Sequence, residues 1–256
     1  MILDLSLEII TGFIVVIAAI CIILLERFIP YNKGQKVFRE GFFNDFVLYT
    51  VVQSYVAGIC IYYIIQWLQN LGLEFYVHFD SKFSLWQQLV FFFILHDFYI
   101  YWFHRFQHKF PLLWRIHEAH HSSIEVDWLS GSRSHFFEIL INQTVEFAPM
   151  FLLGASPEVA VYKGMIDAVW GMFIHSNTDI SMGILRYFFN GPEMHRWHHA
   201  NDEKAFDKNF STKLAVWDWM FGTAYFPNKE KAGIYGLAQK YPLSFIQQFF
   251  YVFRLR

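Results

Sequence analysis

Long apolar runs separated by short polar loops organise this chain. The first run extends from about Ile9 to Leu25, the second from Phe42 to Leu68, the third from Leu85 to Phe103. Each approaches or exceeds the roughly 20 apolar residues that an α-helix needs to cross a bilayer. Two shorter apolar stretches, 136–153 and 159–174, flank the turn signal Gly154-Ala155-Ser156-Pro157. They carry Glu138, Asn142, Gln143, Glu146, Lys163 and Asp167, so the pattern fits either a tight membrane hairpin or helices packed inside the protein. The expectation is an all-α integral membrane protein with about three to five membrane-embedded helices. The N-terminal run reads as a retained helix: Asp4 and Glu8 stand where a cleaved leader carries basic residues, and the run ends at Glu26-Arg27 without small residues.

Basic residues set an orientation for these spans. Arg27, Lys33, Lys36 and Arg39 follow the first, only Lys82 follows the second beside Glu74 and Asp80, and Arg105, Lys109, Arg115 and Arg133 follow the third. The alternation places the N-terminus outside, and residues 104–135 and the region after His175 on the cytoplasmic side, where they form a cap. The C-terminal stretch from Leu243 to Leu255, with Arg254 and Arg256, suits an interfacial helix or a packed one equally. Composition agrees: 55% of residues are hydrophobic, 21% aromatic and only 16% charged, against about 25% charged in soluble domains. A net charge of −2 gives no reason to expect nucleic acid. Cys21 and Cys60 lie in apolar runs and read as small core-filling residues.

Against this background the histidines stand out. His117, His120 and His121 form one H-x-x-H-H triplet and His195, His198 and His199 a second. Positions i, i+3 and i+4 share a helical face, so each triplet is able to aim three imidazoles at one point. At the end of the third run, His104 and His108 are four apart, and Asp97 falls within about 20° of both on the helical wheel. Asp97 is expected to orient a ligand imidazole; His96 reads as a core histidine and His78 as non-functional. With His175 and His135 as possible additions, the imidazoles exceed what one tetrahedral site needs and suit two metal ions. Imidazole takes iron, zinc, copper or nickel alike.

The segments HRFQH, HEAHH and HRWHH resemble, in this order, the three histidine boxes of the fatty acid hydroxylase / sterol desaturase family of membrane non-haem di-iron enzymes. Leu113-Trp114 before the first triplet fits its L-W-x-x-H-x-x-H-H segment. Arg133-Ser134-His135 with Glu138 is similar to its R-x-H-P-x-E segment, with Phe136 in place of the usual Pro. Phe173 to Asn177, Asn209-Phe210, Trp217-Asp218 and Phe221-Gly222-Thr223 resemble its closing motifs. The resemblance implies metal ligation by His104, His108, His117, His120, His121, His135, His175, His195, His198 and His199, with Asp97, Glu138 and Asn209 as supporting site residues. It also implies two irons, O2 and hydroxylation or desaturation of a C–H bond of a lipid such as a sterol, fatty acyl chain or alkylglycerol. Without a Rossmann, flavin or iron–sulfur fingerprint, the two electrons are expected from a separate protein of cytochrome b5 or ferredoxin type, or from a pterin.

The expected layout is one structural domain: transmembrane helices over 1–89, the catalytic region over 90–225 and a cytoplasmic or interfacial tail over 226–256. Two rival readings remain. His117-Glu118-Ala119-His120-His121 also spells H-E-x-x-H, the zinc site of a metalloprotease with Glu118 as general base. A haem or metal-transport membrane protein is the non-enzymatic reading. Arg105, Arg133 and Arg196, beside the histidines, are either contacts for an anionic head group or donor protein, or charges explained by topology alone.

Overall fold

The computed structural model describes residues 5–73, 77–227 and 230–254. Asp4, Glu74, Leu255 and Arg256, used above, lie outside the described residues. Among those residues, helices form the regular structure, joined by two isolated β-bridges, Pro30 with Thr178 and Ala200 with Tyr235.

Helix α1 (Leu5–Phe28) opens with Glu8 in its first turn and closes with Arg27 in its last, each complementing the helix dipole. A π-helical segment, Asn44–Gln53, runs directly into α2 (Ser54–Asn70). Ser6–Phe28 and Asn44–Asn70, with mean hydropathies of 2.9 and 1.6, are the two described helices long and apolar enough to cross a membrane. Both present apolar side chains outward, among them Ile9, Phe13 and Ile17 on the first and Tyr55, Tyr62 and Trp67 on the second. Cys21 is on this outer surface rather than in the core. The third predicted span lies within α4 (Leu85–Lys109), which buries Gln88, His96, Asp97 and Gln107 and is correspondingly less apolar.

A short helix, α3 (Phe79–Lys82), precedes α4, which starts at a capping box made by Ser84 and Gln87. Phe110 then leaves helical geometry (φ −103°, ψ 122°) and Pro111 opens α5 (Pro111–His121). A residue before proline favours extended backbone, and proline suits the first helical position. The chain therefore turns sharply, and α5 packs back along α4. Helices α6 (Phe136–Leu152) and α7 (Pro157–His175) follow the two shorter apolar stretches, joined through Gly154 at φ 66°. α2 packs on α6 through Ala57, Ile61, Ile65 and Ala148, and α1 packs on α7. After α7 come α8 (Pro192–His198), α9 (Val216–Met220) and α10 (Phe245–Tyr251). α10 is tied inward by Gln248, which accepts from Tyr49 Oη at 2.5 Å, and leaves Ile246 and Phe250 exposed.

Ion pairs bind the loops to this frame. Asp45 receives Arg133 through two hydrogen bonds (2.8 and 3.0 Å) and pairs with Arg39 (2.8 Å), which also grips Asp127. Glu26, at the end of α1, accepts from the backbone N–H of Trp128 (2.8 Å) and Asn177 (2.7 Å). Arg133 is thus committed to the scaffold. Arg196 is buried too, donating to the carbonyls of Ser176 and Thr178 and lying over the Tyr31 ring at 3.7 Å. Neither offers its charge to a head group or a donor protein.

Removing one partner of a buried ion pair costs about 3–5 kcal/mol, because the other charge remains uncompensated. Asp45→Asn, which strands Arg133 while Arg39 keeps Asp127, is expected to destabilise the protein by about that amount, read as a lower unfolding midpoint in detergent.

Candidate metal centre

Nine histidines converge in the interior where α4, α5, α7 and α8 meet, and they divide into two groups. His104, His108, His117, His121 and His198 form the first; His120, His175, His195 and His199 form the second. In each group the ligand-capable nitrogens all lie within 4.8 Å of one another. The two groups abut, with ring centroids of His121 and His199 4.8 Å apart and those of His117 and His120 5.1 Å apart.

The triplets do not each aim three rings at one point. His117 and His121 face the first group and His120 the second; His195 and His199 face the second and His198 the first. Helix geometry gives the reason. At about 100° per residue, i and i+4 are about 40° apart, whereas i+3 and i+4 are about 100° apart. An i, i+4 pair therefore shares a target that i+3 misses. The two triplets are used in reciprocal fashion, each giving a pair to one group and a single ring to the other.

Hydrogen bonds on the far side of the rings fix their orientation. Nδ1 of His104 donates to the Phe210 carbonyl (2.7 Å), that of His198 to the Lys208 carbonyl (2.8 Å) and that of His175 to the Gly171 carbonyl (2.7 Å). Nδ1 of His117 donates to Glu138 Oε1 (2.7 Å), which also accepts from Gln107 (2.9 Å). A carbonyl only accepts, so these contacts hold the proton on Nδ1 of His104, His198 and His175 and leave Nε2 as a bare lone pair; the same holds for His117 with Glu138 ionised. Yet Nε2 of His104 and Nε2 of His117 face each other at 3.0 Å. In the second group Nε2 of His175 meets those of His195 (2.9 Å) and His120 (3.3 Å), whose Nδ1 atoms have no hydrogen-bond partner to fix a tautomer. Where both Nδ1 protons are claimed, as in His104 and His117 with Glu138 ionised, two lone pairs at such a distance repel unless a cation sits between them. Ligands about 2.1 Å from a shared ion lie roughly 3.0–3.4 Å from each other, and the observed spacings match. Nε2 of His108 and of His198 are buried without any hydrogen-bond partner, as a ligand atom without its ion would be. The donor set therefore fits two cations.

Burial first, and then the neighbouring imidazoles, holds His117, His120, His121, His195, His198 and His199 well below the usual histidine range. All are neutral near pH 7, the form that binds metal.

The other predicted site residues are placed as follows. Glu138 bonds a histidine; Glu146 does not, pairing with Lys163 at 2.6 Å. Asp97 touches no imidazole. It accepts from Thr212, the backbone N–H of Lys213 and Leu214, and Trp217 Nε1 (2.9–3.1 Å). Its expected role of orienting a ring is thus corrected: seven residues before His104, it is about 10 Å up the helix. His135 joins neither group; its Nδ1 caps α6 by accepting from the Phe137 N–H, and its Nε2 donates to the Phe249 carbonyl. Asn209, at φ 55°, donates to the carbonyls of Met194 and Tyr225. It sits between Lys208 and Phe210, whose carbonyls receive two of the histidines. Glu118 is turned away from the rings and pairs with Arg254 at 2.5 Å, so the general base of a metalloprotease is missing. Gln107, the Gly171 carbonyl and Gly131 escape sequence reasoning. A Cβ on Gly131 would lie 2.7 Å from His175 Nδ1. Only Gln107 had a signal, a polar residue one position before His108.

The sequence profile of the fatty acid hydroxylase family matches residues 89–223, the stretch that supplies all nine rings. The chain belongs to that family. Over 243 residues it is 29% identical to an ornithine lipid hydroxylase of Rhizobium tropici, covering 92% of this chain and 73% of the relative. It is 34% identical to an alkylglycerol monooxygenase of Danio rerio over 62% of this chain and 34% of the relative. With a methylsterol monooxygenase of Aspergillus fumigatus it shares 30% identity over 62% of this chain and 54% of the relative. The chain thus spans well under two thirds of the latter two. No solved structure matches it.

Folding keeps these imidazoles neutral, so acid opposes it. Their contribution is intact above the unfolded-state pKa of about 6.5 and is lost as pH falls below it, where the unfolded chain takes up more protons. Metal-free protein is expected to lose unfolding free energy steadily below about pH 6.5, measured by chemical denaturation across a pH series. A flat profile between pH 7 and 5 would contradict the neutral cluster.

Proposed function

We propose that the two histidine groups hold two iron ions and that the chain is a membrane-bound, O2-dependent lipid hydroxylase. The observation that carries this reading is the convergence of nine buried imidazoles in two groups, with Nε2 of His104 and His117 turned to each other at 3.0 Å as two ligands of one cation would be. Family membership and the relatives' names select the reaction: all are lipid hydroxylases or monooxygenases. When bound, the ions supply O2 activation, which no side chain provides. Five rings for one ion and four for the other is the assignment drawn from the grouping, and His135 is left out of it.

The chain's own residues do the rest. Glu138, when ionised, keeps the proton on His117 Nδ1 and, as the one carboxylate hydrogen-bonded to a ring of these groups among the described residues, raises its basicity. The carbonyls of Lys208 and Phe210 hold His198 and His104 in the same way, and Asn209 and Asp97 pin the segment that carries them. Two cavities reach the centre from different sides. One of about 420 Å³ meets His108, His121, His198 and His199 beside Trp114, Phe206 and Lys109. The other, about 200 Å³ between α4, α6 and α7, meets His104, His117, His120, His175 and His195. We assign the second to the reacting part of the lipid, since Ile100, Phe103 and Ile174 line it and keep water from the reacting carbon. The first is assigned to reductant and O2.

In this reading α1 and the Asn44–Asn70 helix span the bilayer, α4, α6 and α7 complete three to five embedded helices, and the histidine centre lies on the cytoplasmic side. The two electrons come from a separate donor protein.

Purified protein from iron-replete cells is expected to hold about two irons per chain and to show no haem band. His104→Ala and His195→Ala should each lower the iron content, because each removes a ligand from a different group. With a reducing system, isotope-labelled dioxygen should enter lipids of a membrane extract. A single zinc unaffected by either substitution, or no label in any lipid, would refute the reading. Glu138→Gln, which keeps the shape but weakens the acceptor, should lower metal affinity roughly 10–100-fold, measured by competition with a chelator.

A further inference from the structure

The cavity between α4, α6 and α7 has an apolar side and a polar one, and the polar side is incompletely paired. Besides His120 Nδ1 and His195 Nδ1 of the histidine groups and Asp167 Oδ1, four buried polar atoms of residues lining it have no hydrogen-bond partner: His96 Nε2, Glu138 Oε2, Asn142 Oδ1 and Trp170 Nε1. His96 and Glu138 are only 7% and 4% exposed. Lys163 Nζ donates to His96 Nδ1 at 2.8 Å, so His96 Nε2 carries the ring proton and is a donor, its nearest carboxylate oxygen being Glu146 Oε2 at 3.8 Å. Trp170 Nε1 is a donor by its chemistry, whereas Asn142 Oδ1 and the Glu138 carboxylate accept. Asp167 Oδ1 adds a further acceptor, already 3.2 Å from Lys213 Nζ. The grouping of His96, Glu146 and Asp167 is not an empty metal site, because the Lys163 ammonium lies among them, 2.6–2.8 Å from each.

A bare alkyl chain in this cavity would leave all four atoms out of water and without partners, which native interiors avoid. A group with both donors and acceptors would satisfy them. We propose that the cavity seats a polar group of the lipid beside the reacting carbon, with His96, Asn142 and Trp170 reading it. The substrate class is then a lipid oxidised next to a hydroxyl, ether, amide or amine function rather than in the middle of a hydrocarbon tail. The inference rests on the hydroxylase reading, because that reading makes the cavity the substrate's. The distribution of chemistry supports it: imidazoles line the cavity, Ile100, Phe103 and Ile174 supply the apolar contact, and the four unpaired atoms come from α4 (His96), α6 (Glu138, Asn142) and α7 (Trp170).

Zinc-loaded protein does not turn over, so binding can be read by calorimetry in detergent apart from catalysis. The probes are hexadecyl glyceryl ether, which offers hydroxyls, N-palmitoyl ornithine, which offers an amide and an amine, and hexadecane. Wild type is expected to bind at least one polar probe, and Trp170→Phe and Asn142→Leu should each weaken that binding roughly tenfold while leaving hexadecane unchanged. The tighter polar probe identifies the head group as hydroxyl- or amine-bearing. Equal affinity of wild type and both variants for both polar probes, or preference for hexadecane, would overturn the proposal and leave the cavity a water pocket. Asn142→Leu is close to isosteric and Trp170→Phe removes ring volume as well as the donor, so a loss shared by both, with zinc content matching wild type, is not a folding defect. Failure of the hydroxylase reading looks different, since it shows as protein that holds no pair of metal ions, whatever lipid it binds.

Discussion

Two imidazole nitrogens that have both surrendered their protons elsewhere cannot rest 3 Å apart in a medium of low dielectric. His104 and His117 are in that position because the Phe210 carbonyl and Glu138 claim their Nδ1 protons. The strain of that contact organises the surroundings. The rings are buried so that they stay neutral, His104, His117, His175 and His198 are held from behind so that they stay aimed, and the segments that supply the acceptors are themselves fastened. Asn209 holds the 208–210 segment, Asp97 holds 212–217, and Asp218 accepts from the backbone of Phe210 and Ser211. A cation held between these rings would make the same distances favourable.

The scaffold around the rings is built to resist that strain. The sharp turn at Phe110-Pro111 lays α5 along α4, bringing two pairs of histidines together from adjacent segments of chain. More distant parts are then locked on by buried charge. Glu26 draws the end of the first membrane-length helix to the loops that carry Trp128 and Asn177, and Asp45 ties the second to Arg133. The two helices of membrane-crossing length and the residues that surround the centre thus belong to one packed unit.

Much of the site is legible in the sequence because helical ligands recur at fixed spacing. The H-x-x-H-H triplets and the H-x-x-x-H pair announce themselves, and His175 joins them through its resemblance to a known box. What is not legible depends on how helices cross. Helical periodicity parts i+3 from the i, i+4 pair, but which group receives each depends on tertiary packing, which no local pattern contains. Asp97 shares a wheel position with His104, but a wheel omits the rise along the axis, and that rise carries the carboxylate to Trp217 instead. Glu138 and Glu146, eight residues apart on one helix, looked alike; only tertiary packing gives one a histidine and the other a lysine. His135 has the right residue type beside the right motif, yet its two nitrogens serve a helix cap and the Phe249 carbonyl.

The reciprocal use of the triplets has a consequence for how this architecture can vary. A helix contributes a pair to one group and a lone ring to the other from five consecutive residues, so the offset between the groups is gauged by the pitch of the α-helix. Side-chain substitution leaves that gauge untouched. A shift of α5 or α8 carries ligands of both groups with it, so neither group can be retuned or discarded alone. The centre is inherited as a couple, and diversification is left to the walls of the cavities beside it.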